Sequence, residues 1–363
     1  MTLPDISNCR LVSQKIATTE FSSAKEVVGW MGAMQAQDFA MAKWAVGVRF
    51  LNPTNSKIES ALNKGEIIRT HVMRPTWHFV AAEDVYWLLD LTANKIKQAM
   101  KTRDRELELS EAIFTKCNKI LESILSKGVH LSREELAEAF INAGISTDNN
   151  RLSHLLVRAE LEGIICSGTV NGNKQNYALL SERVPHKKTL PRDESLAELA
   201  KRYFTSHGPA TLQDFVWWSG LSVTEARQGF ESVKSGFISE TVGSVNYWFK
   251  DSFSNTLVNV NSIYLLPAFD EFLISYKDRS ASLSLIHHKK AVSDNGIFRP
   301  VIVRNGQVTG LWKRTIKKDE VTIETSSFLS GKSDSKHLYE AVSVKFGSFL
   351  DKKARIDVEN HWA

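Results

Sequence analysis

One local pattern recurs three times between Ser23 and Phe249, and it constrains the fold more than any other feature: a capped helix, a tight turn, a second helix, then a short two-stranded hairpin. The clearest copy is central. Ser132-Arg133-Glu134-Glu135 has the spacing of a capping box, in which serine and glutamate satisfy free amides at a helix start. Leu136, Ala139, Phe140 and Ala143 follow at helical spacing, and Gly144 closes the helix. A second helix is expected to bury Leu152, Leu155, Leu156 and Ala159, leaving Arg151, His154 and Arg158 on its exposed side. Gly163 ends it, and Ile164 to Cys166, the turn signal Asn171-Gly172 and Tyr177 to Leu179 make a hairpin. That order describes a winged helix, whose second helix can enter a DNA groove.

The amino-terminal copy is less regular. Ser23-x-x-Glu26 caps a helix through Met34, Ser56-x-x-Glu59 caps another ending at Lys64-Gly65, and Glu66 to Arg69 pairs with Thr76 to Val80. The third copy follows a linker, His186 to Pro191. Leu196, Leu199, Ala200 and Tyr203 form its first stripe, Thr211 to Ser219 its next helix, and Ser222-x-x-Glu225 caps its recognition helix. Its wing pairs Phe237 to Glu240 with Val245 to Phe249. Near Thr256 the period changes to two: Val258, Val260 and Ser262 alternate, then Pro300 to Arg304, Gln307 to Trp312 and Val321 to Glu324 read as strands of a β-meander or small barrel. The expected fold is α+β, tandem winged-helix (helix-turn-helix) domains plus a carboxy-terminal β-barrel or meander. Its divisions are 1–95 (winged helix 1), 96–186 (helical connector and winged helix 2), 187–252 (winged helix 3) and 253–363 (a basic β-rich domain).

Charge is unevenly spread. From Leu273 to Asp319 ten basic residues face three acidic ones, a surplus of seven in a chain whose net charge is only +5. Such concentration marks a polyanion-binding face, with solvated strand faces as the plain alternative. No apolar run reaches the roughly 18–20 residues that span a bilayer, and no basic flank leads into an apolar stretch at the start, so a cytoplasmic, nucleoid-associated protein is expected. Three scattered cysteines and no C-x-x-C pair argue against a zinc site.

Motifs for cofactors and common catalysis are missing: no phosphate loop, dinucleotide fingerprint, H-E-x-x-H or G-x-S-x-G occurs. The expectation is no metal and no organic cofactor. His287-His288, read as part of a strand, would point to opposite faces. What remains is Gln35-Ala36-Gln37-Asp38 at the end of the first capped helix. Two glutamines at i and i+2 diverge on an α-helix but share one side of an extended segment, so a joint role requires the helix to break there. A neutral amide can orient a water and stabilise developing positive charge. The alternative is a pair of surface glutamines in a helix–helix turn. Asp38 is either a water activator or a helix cap. Asp270 and Glu271 are acidic candidates, or structural partners of Lys277 or Arg279. His78 either contacts a phosphate or lines the cavity, or it satisfies a buried carbonyl while Trp77 and Phe79 pack. Trp217 and Trp218 read as core. Arg304, Lys313 and Arg314 are expected on a projecting hairpin that touches phosphates, with Arg158, Lys277 and Arg279 as further DNA contacts.

The stretches QAQDFAMAKWAVGVRF, IIRTHVMRPTWHFV, YFTSHGPATLQDFVWWSG, LLPAFDEFLISYKDR and PVIVRNGQVTGLWKR follow one another as in the AlkZ/YcaQ superfamily of winged-helix DNA glycosylases, and the resemblance runs from Arg10 to about Thr325. It implies a C-shaped clasp around double-stranded DNA and excision of N7-alkylated, cationic purines, with unhooking of interstrand crosslinks. Gln35-Ala36-Gln37 resembles the Gln-aliphatic-Gln motif of the AlkZ-like branch, not the aspartate-bearing motif of the other, which implies Gln35 and Gln37 as the catalytic pair. A base alkylated at N7 leaves readily because it already carries positive charge, so no strong general acid is needed. Rival expectations are a non-catalytic winged-helix regulator or clamp and a protein-interaction scaffold. Three DNA-facing modules in one chain suggest a monomer.

Overall fold

A computed structural model describes residues 1–170, 172, 175–253, 262–328 and 336–357. The hairpin signal Asn171 and the alternation at Val258 and Val260 lie outside the described residues. The chain forms two compact units, Glu59–Leu196 and a second made of Met1–Ile58 with Ala197–Ala363.

In the Glu59–Leu196 unit the central repeat folds as its pattern dictates. Helix Arg133–Asn142 starts at the Ser132/Glu135 capping box and helix Arg151–Leu161 follows. Strands Ile165–Ser167 and Asn176–Leu179 pair antiparallel, and Leu131–Ser132 joins the outer side of the return strand. Leu121, Leu136, Phe140, Leu155, Leu156, Ile165 and Tyr177 close one core. The unit's other hairpin pairs Ile67–His71 with Trp77–Ala81. The helix before it, Asn55–Asn63, begins one residue after Thr54, whose hydroxyl accepts the Lys57 N–H; the capping residue is Thr54, not Ser56.

The expected open face of helix Arg151–Leu161 is closed. Helices Val85–Glu106 and Glu111–Ile124 pack beside it. His154 Nδ1 lies 2.6 Å from Asp104, and Arg158 bonds both Glu162 and Glu111 at 2.5 Å while lying over the Phe114 ring. Arg151 caps the carbonyls of Leu107 and Ser146. Periodicity finds a polar face, but the acids that meet it come from helices elsewhere in the sequence.

The second unit repeats the motif with Leu212–Ser219, Val223–Val233 and a hairpin of Ile238–Val242 with Val245–Phe249, its helices started by capping boxes at Thr211 and Ser222. Here too the residue before the first capped helix, Ala210, bridges to the return strand at Trp248. In this copy Val223, Thr224 and Arg227 stay exposed.

The carboxy-terminal sheet is a four-strand antiparallel meander, Ile263–Leu266, Val301–Arg304, Gln307–Ile316 and Glu320–Ser327, with Lys353–Asp357 added in parallel. A parallel neighbour needs a crossover, supplied by helix Lys336–Phe349. That helix packs Phe346 edge-on against Trp44 and Trp312, at 5.0 and 5.1 Å between ring centres. Both indole N–H groups are satisfied by carbonyls of the edge strand, Trp44 on Leu265 and Trp312 on Leu266, each at 2.7 Å. His287 and His288 lie in a short 3-10 turn and the helical turn His288–Ala291, not a strand.

Because Phe346 is buried between two indoles, Phe346→Ala should cost about 3–5 kcal/mol of unfolding free energy. Ser132→Ala, which loses one cap, should cost about 1 kcal/mol. Urea titrations of both variants check this, and a Phe346→Ala curve overlying wild type would refute the packing account.

Candidate active site

The glutamine motif lies where one helix ends and another begins. Helix Ala24–Met31 stops at Gly32, whose φ of 77° lies in the left-handed region that glycine enters without strain. Met34–Gln35 is extended, and Asp38 caps helix Phe39–Gly47 by accepting the Met41 N–H at 3.0 Å. The helix break required for a joint glutamine role is therefore present, and Asp38 has the capping role. The two amides nevertheless differ: Gln37 is exposed, whereas Gln35 is only 6% exposed.

What fixes Gln35 is a carboxylate 236 positions away. Its N–H donates to Glu271 Oε1 at 2.6 Å. Glu271 Oε2 accepts from the Trp218 indole N–H at 3.1 Å and from the Ser275 hydroxyl, with His207 Nε2 at 3.8 Å. Asp270, the preceding residue, binds Arg49 through both oxygens at 2.8 and 2.9 Å, and Arg49 also donates to Gln14. Arg10 stacks over the Tyr276 ring at 3.5 Å and approaches Asp214 at 3.9 Å. All of these side chains are buried. The two acids thus do not pair with Lys277 or Arg279. They point inward from the cap of the short helix Glu271–Ile274, and buried charge demands partners there. An acidic pair set inside Ala268-Phe269-Asp270-Glu271-Phe272-Leu273 was the available signal, because charges flanked by apolar residues are seldom solvated.

The network has a definite charge state. Burial alone would push the Glu271 carboxyl up. The nearby His207 imidazole, 3.8 Å away, and the hydrogen bonds from Ser275 and the Gln35 N–H together outweigh burial and bring the pKa down to about 2. Burial lowers the His207 pKa, against the pull of Glu271.

The remaining sequence candidates scatter. Trp218 is core, as expected, but Trp217 is 41% exposed. His78 is fully buried, with Nδ1 2.9 Å from the Thr76 carbonyl, which is the geometry of the carbonyl-satisfying alternative. Lys277 is exposed, while Arg279 bonds the Leu273 carbonyl and lies over Phe298. The turn Asn305-Gly306 after Arg304 does not project: Ser7 donates to the Gly306 carbonyl, and a Cβ on Gly306 would come 2.7 Å from Asn8. Lys313 and Arg314 lie within strand Gln307–Ile316, not on that turn. Lys313 pairs with Glu324 at 3.0 Å, and Arg314 reaches Met41 in the first turn of helix Phe39–Gly47, four residues after Gln37.

Acidification should destabilise the protein in two stages. Unfolding releases a buried neutral His207, so stability falls as pH drops below about 6.5. Glu271 keeps its charge in the fold while the unfolded chain takes up a proton, so a second fall runs from about 4.5 towards about 2. Urea unfolding from pH 8 to pH 3 measures both stages. Glu271→Gln should remove the second and cost about 3 kcal/mol at neutral pH; an unchanged acid limb would refute the assignment.

The family model for AlkZ-like DNA glycosylases matches residues 28–343. A Streptomyces sahachiroi protein described as an interstrand DNA cross-link repair glycosylase is 25% identical over 305 residues, covering 80% of this chain and 82% of its own. The solved structure of Streptomyces sahachiroi DNA glycosylase AlkZ has a TM-score of 0.81 at 22% identity, covering 98% of this chain and 100% of that one. With the motif order, the break at Gln35-Ala36-Gln37 and a family match over most of its length, this chain belongs to the AlkZ-like DNA glycosylase family.

Proposed function

We propose that the protein is a monofunctional DNA glycosylase that releases N7-alkylated, cationic purines from double-stranded DNA. The observation that carries the reading is the glutamine motif held in an extended break between two helices by a buried carboxylate, within a chain of the AlkZ-like family. The N9–C1′ bond breaks, its electron pair neutralises the departing base, and the sugar becomes an oxocarbenium ion. A water then adds at C1′ and loses a proton. Gln37, exposed and neutral, orients that water through its amide oxygen. Gln35, anchored through its main chain, supports the sugar cation from the floor of the site. A positive alkylpurine needs no protonation to leave, so the absence of an acid from the motif suits this substrate class. Interstrand crosslinks formed through N7 present the same bond on each strand, and the proposal extends to them.

The basic segment from Leu273 to Asp319 supplies the attraction for the duplex, Lys277 and Lys313 being its exposed candidates. Arg304 and Arg279 flank them, whereas Arg158 and His78 are tied into internal contacts and belong to the scaffold. No helix of the described residues is long and apolar enough to cross a membrane. The enclosure of Gln35 favours one competing reading, a DNA clamp without chemistry, which predicts duplex binding and no abasic product.

Duplex DNA carrying a single 7-methylguanine decides between them. Wild-type protein should leave an alkali-labile abasic site, and Gln35→Ala and Gln37→Ala should each slow single-turnover release by about 100-fold or more. Duplex affinity should change by less than about twofold, since neither amide neutralises a phosphate. Unchanged release by the double variant would eliminate the catalytic assignment.

A further inference from the structure

Arg314 is an unusual arginine. It follows Trp312 by two positions on strand Gln307–Ile316, so its side chain leaves the sheet on the Trp312 face, where helix Phe39–Gly47 brings Met41 against it. Half-buried there, its Nη1 lies 2.9 Å from the Met41 sulfur, a weak acceptor, and among the described residues no carboxylate lies within ion-pair distance of it. Burial lowers its pKa while the Asp38 charge pulls the other way. Arginine does not give up its proton in proteins, so the shift records a desolvated charge with too little compensation. The guanidinium borders a cavity of about 220 Å³ whose other walls include Met41, Trp312, Arg299 and Lys313. Arg299 is exposed, and its side chain has no partner among the described residues.

A folded protein pairs a half-buried guanidinium unless something outside the chain is to be its partner. Two guanidinium groups without a carboxylate partner among the described residues, Arg314 and Arg299, border one small cavity with the Glu324-paired Lys313 beside them, an arrangement suited to an anion. The planar arginine fork matches two oxygens of a phosphate. Met41 lies in the first turn of helix Phe39–Gly47, four residues after Gln37, and its N–H is capped by Asp38. We propose that Arg314, with Arg299 and Lys313 at the rim, seats one backbone phosphate of the duplex, and that this seat sets the distance between the damaged nucleotide's sugar and Gln37. Arg314 is thus a positioning residue, and the inference rests on the glycosylase reading only for its effect on rate; the seat itself is a binding site.

Methylphosphonate scanning tests it. In a series of duplexes with one 7-methylguanine, each backbone phosphate around the lesion is replaced in turn by its neutral methylphosphonate. For wild type, one position should slow single-turnover release by about 10- to 100-fold, the scale of a misplacement near 1 Å. Arg314→Ala should slow release on the intact duplex by a similar factor and lose nothing further at that position. Arg314→Lys should recover part of the rate, keeping the charge without the fork. With undamaged duplex, Arg314→Ala should reduce the salt slope of binding by about 0.9. Arg299→Ala, at an exposed residue that leaves the fold intact, should show a smaller loss at the same phosphate. Equal sensitivity of wild type and Arg314→Ala at every position, or an unchanged salt slope, would overturn the seat. Inorganic phosphate raising the melting temperature of wild type but not of Arg314→Ala, with the duplex binding both alike, would give the cavity to a free anion and likewise overturn it. Should wild type release no base, the salt slope and the methylphosphonate effect on binding still decide the seat, and the glycosylase reading falls separately.

Discussion

A single buried carboxylate organises the candidate site. Glu271 cannot remain ionised in the interior without donors, and those that meet it come from two distant stretches, the Gln35 main chain and the Trp218 indole with His207 beside it, and from Ser275 one turn along its own helix. Satisfying one desolvated charge thereby ties the glutamine motif to the third helix-turn-helix. Arg49 and Gln14 do the same beside it through Asp270. The result is a backbone held in place from both sides at the glutamine motif, the fixation that the proposed site requires.

The motif divides labour between main chain and side chain. Gly32 ends one helix, Asp38 starts the next, and the residues between are neither buried alike nor exposed alike. Gln35 is held by its main-chain N–H against Glu271, while Gln37 is exposed, the difference on which their proposed separate roles rest. Arg314 enters the same region from the sheet, carrying a charge that the protein itself leaves poorly matched.

The repeated winged-helix pattern serves two purposes. In the central copy the polar face of Arg151–Leu161 is consumed by Asp104, Glu111 and Glu162, so the helix is a structural strut. In the third copy the corresponding helix keeps Thr224 and Arg227 exposed, while its neighbour supplies Trp218 to the buried carboxylate. A shared local fold is therefore no guide to which copy meets a ligand; that depends on what packs over the second helix.

Local chemistry was legible from the chain alone. Capping boxes at Ser23, Ser132 and Ser222, the type of turn at Asn305-Gly306 and the alternating strands of the meander all follow from residues within a few positions of one another, where propensity and hydrogen bonding act directly, whereas the first capped helix, expected through Met34, stops at Met31 where Gly32 turns the chain. Membership of the family was legible too, because its motifs occur in order. Partners distant in sequence were not. That Asp270 meets Arg49 rather than Lys277, that Arg158 faces acids rather than solvent, that the Arg304 turn rests on Ser7 and Asn8 of helix Leu3–Ser13 and that Gln35 and Gln37 differ in exposure depend on which elements close over which. Periodicity reports that a face is polar or apolar, but it does not say what covers it. Burial, and with it the charge state of every group in the site, is settled only when the chain has packed.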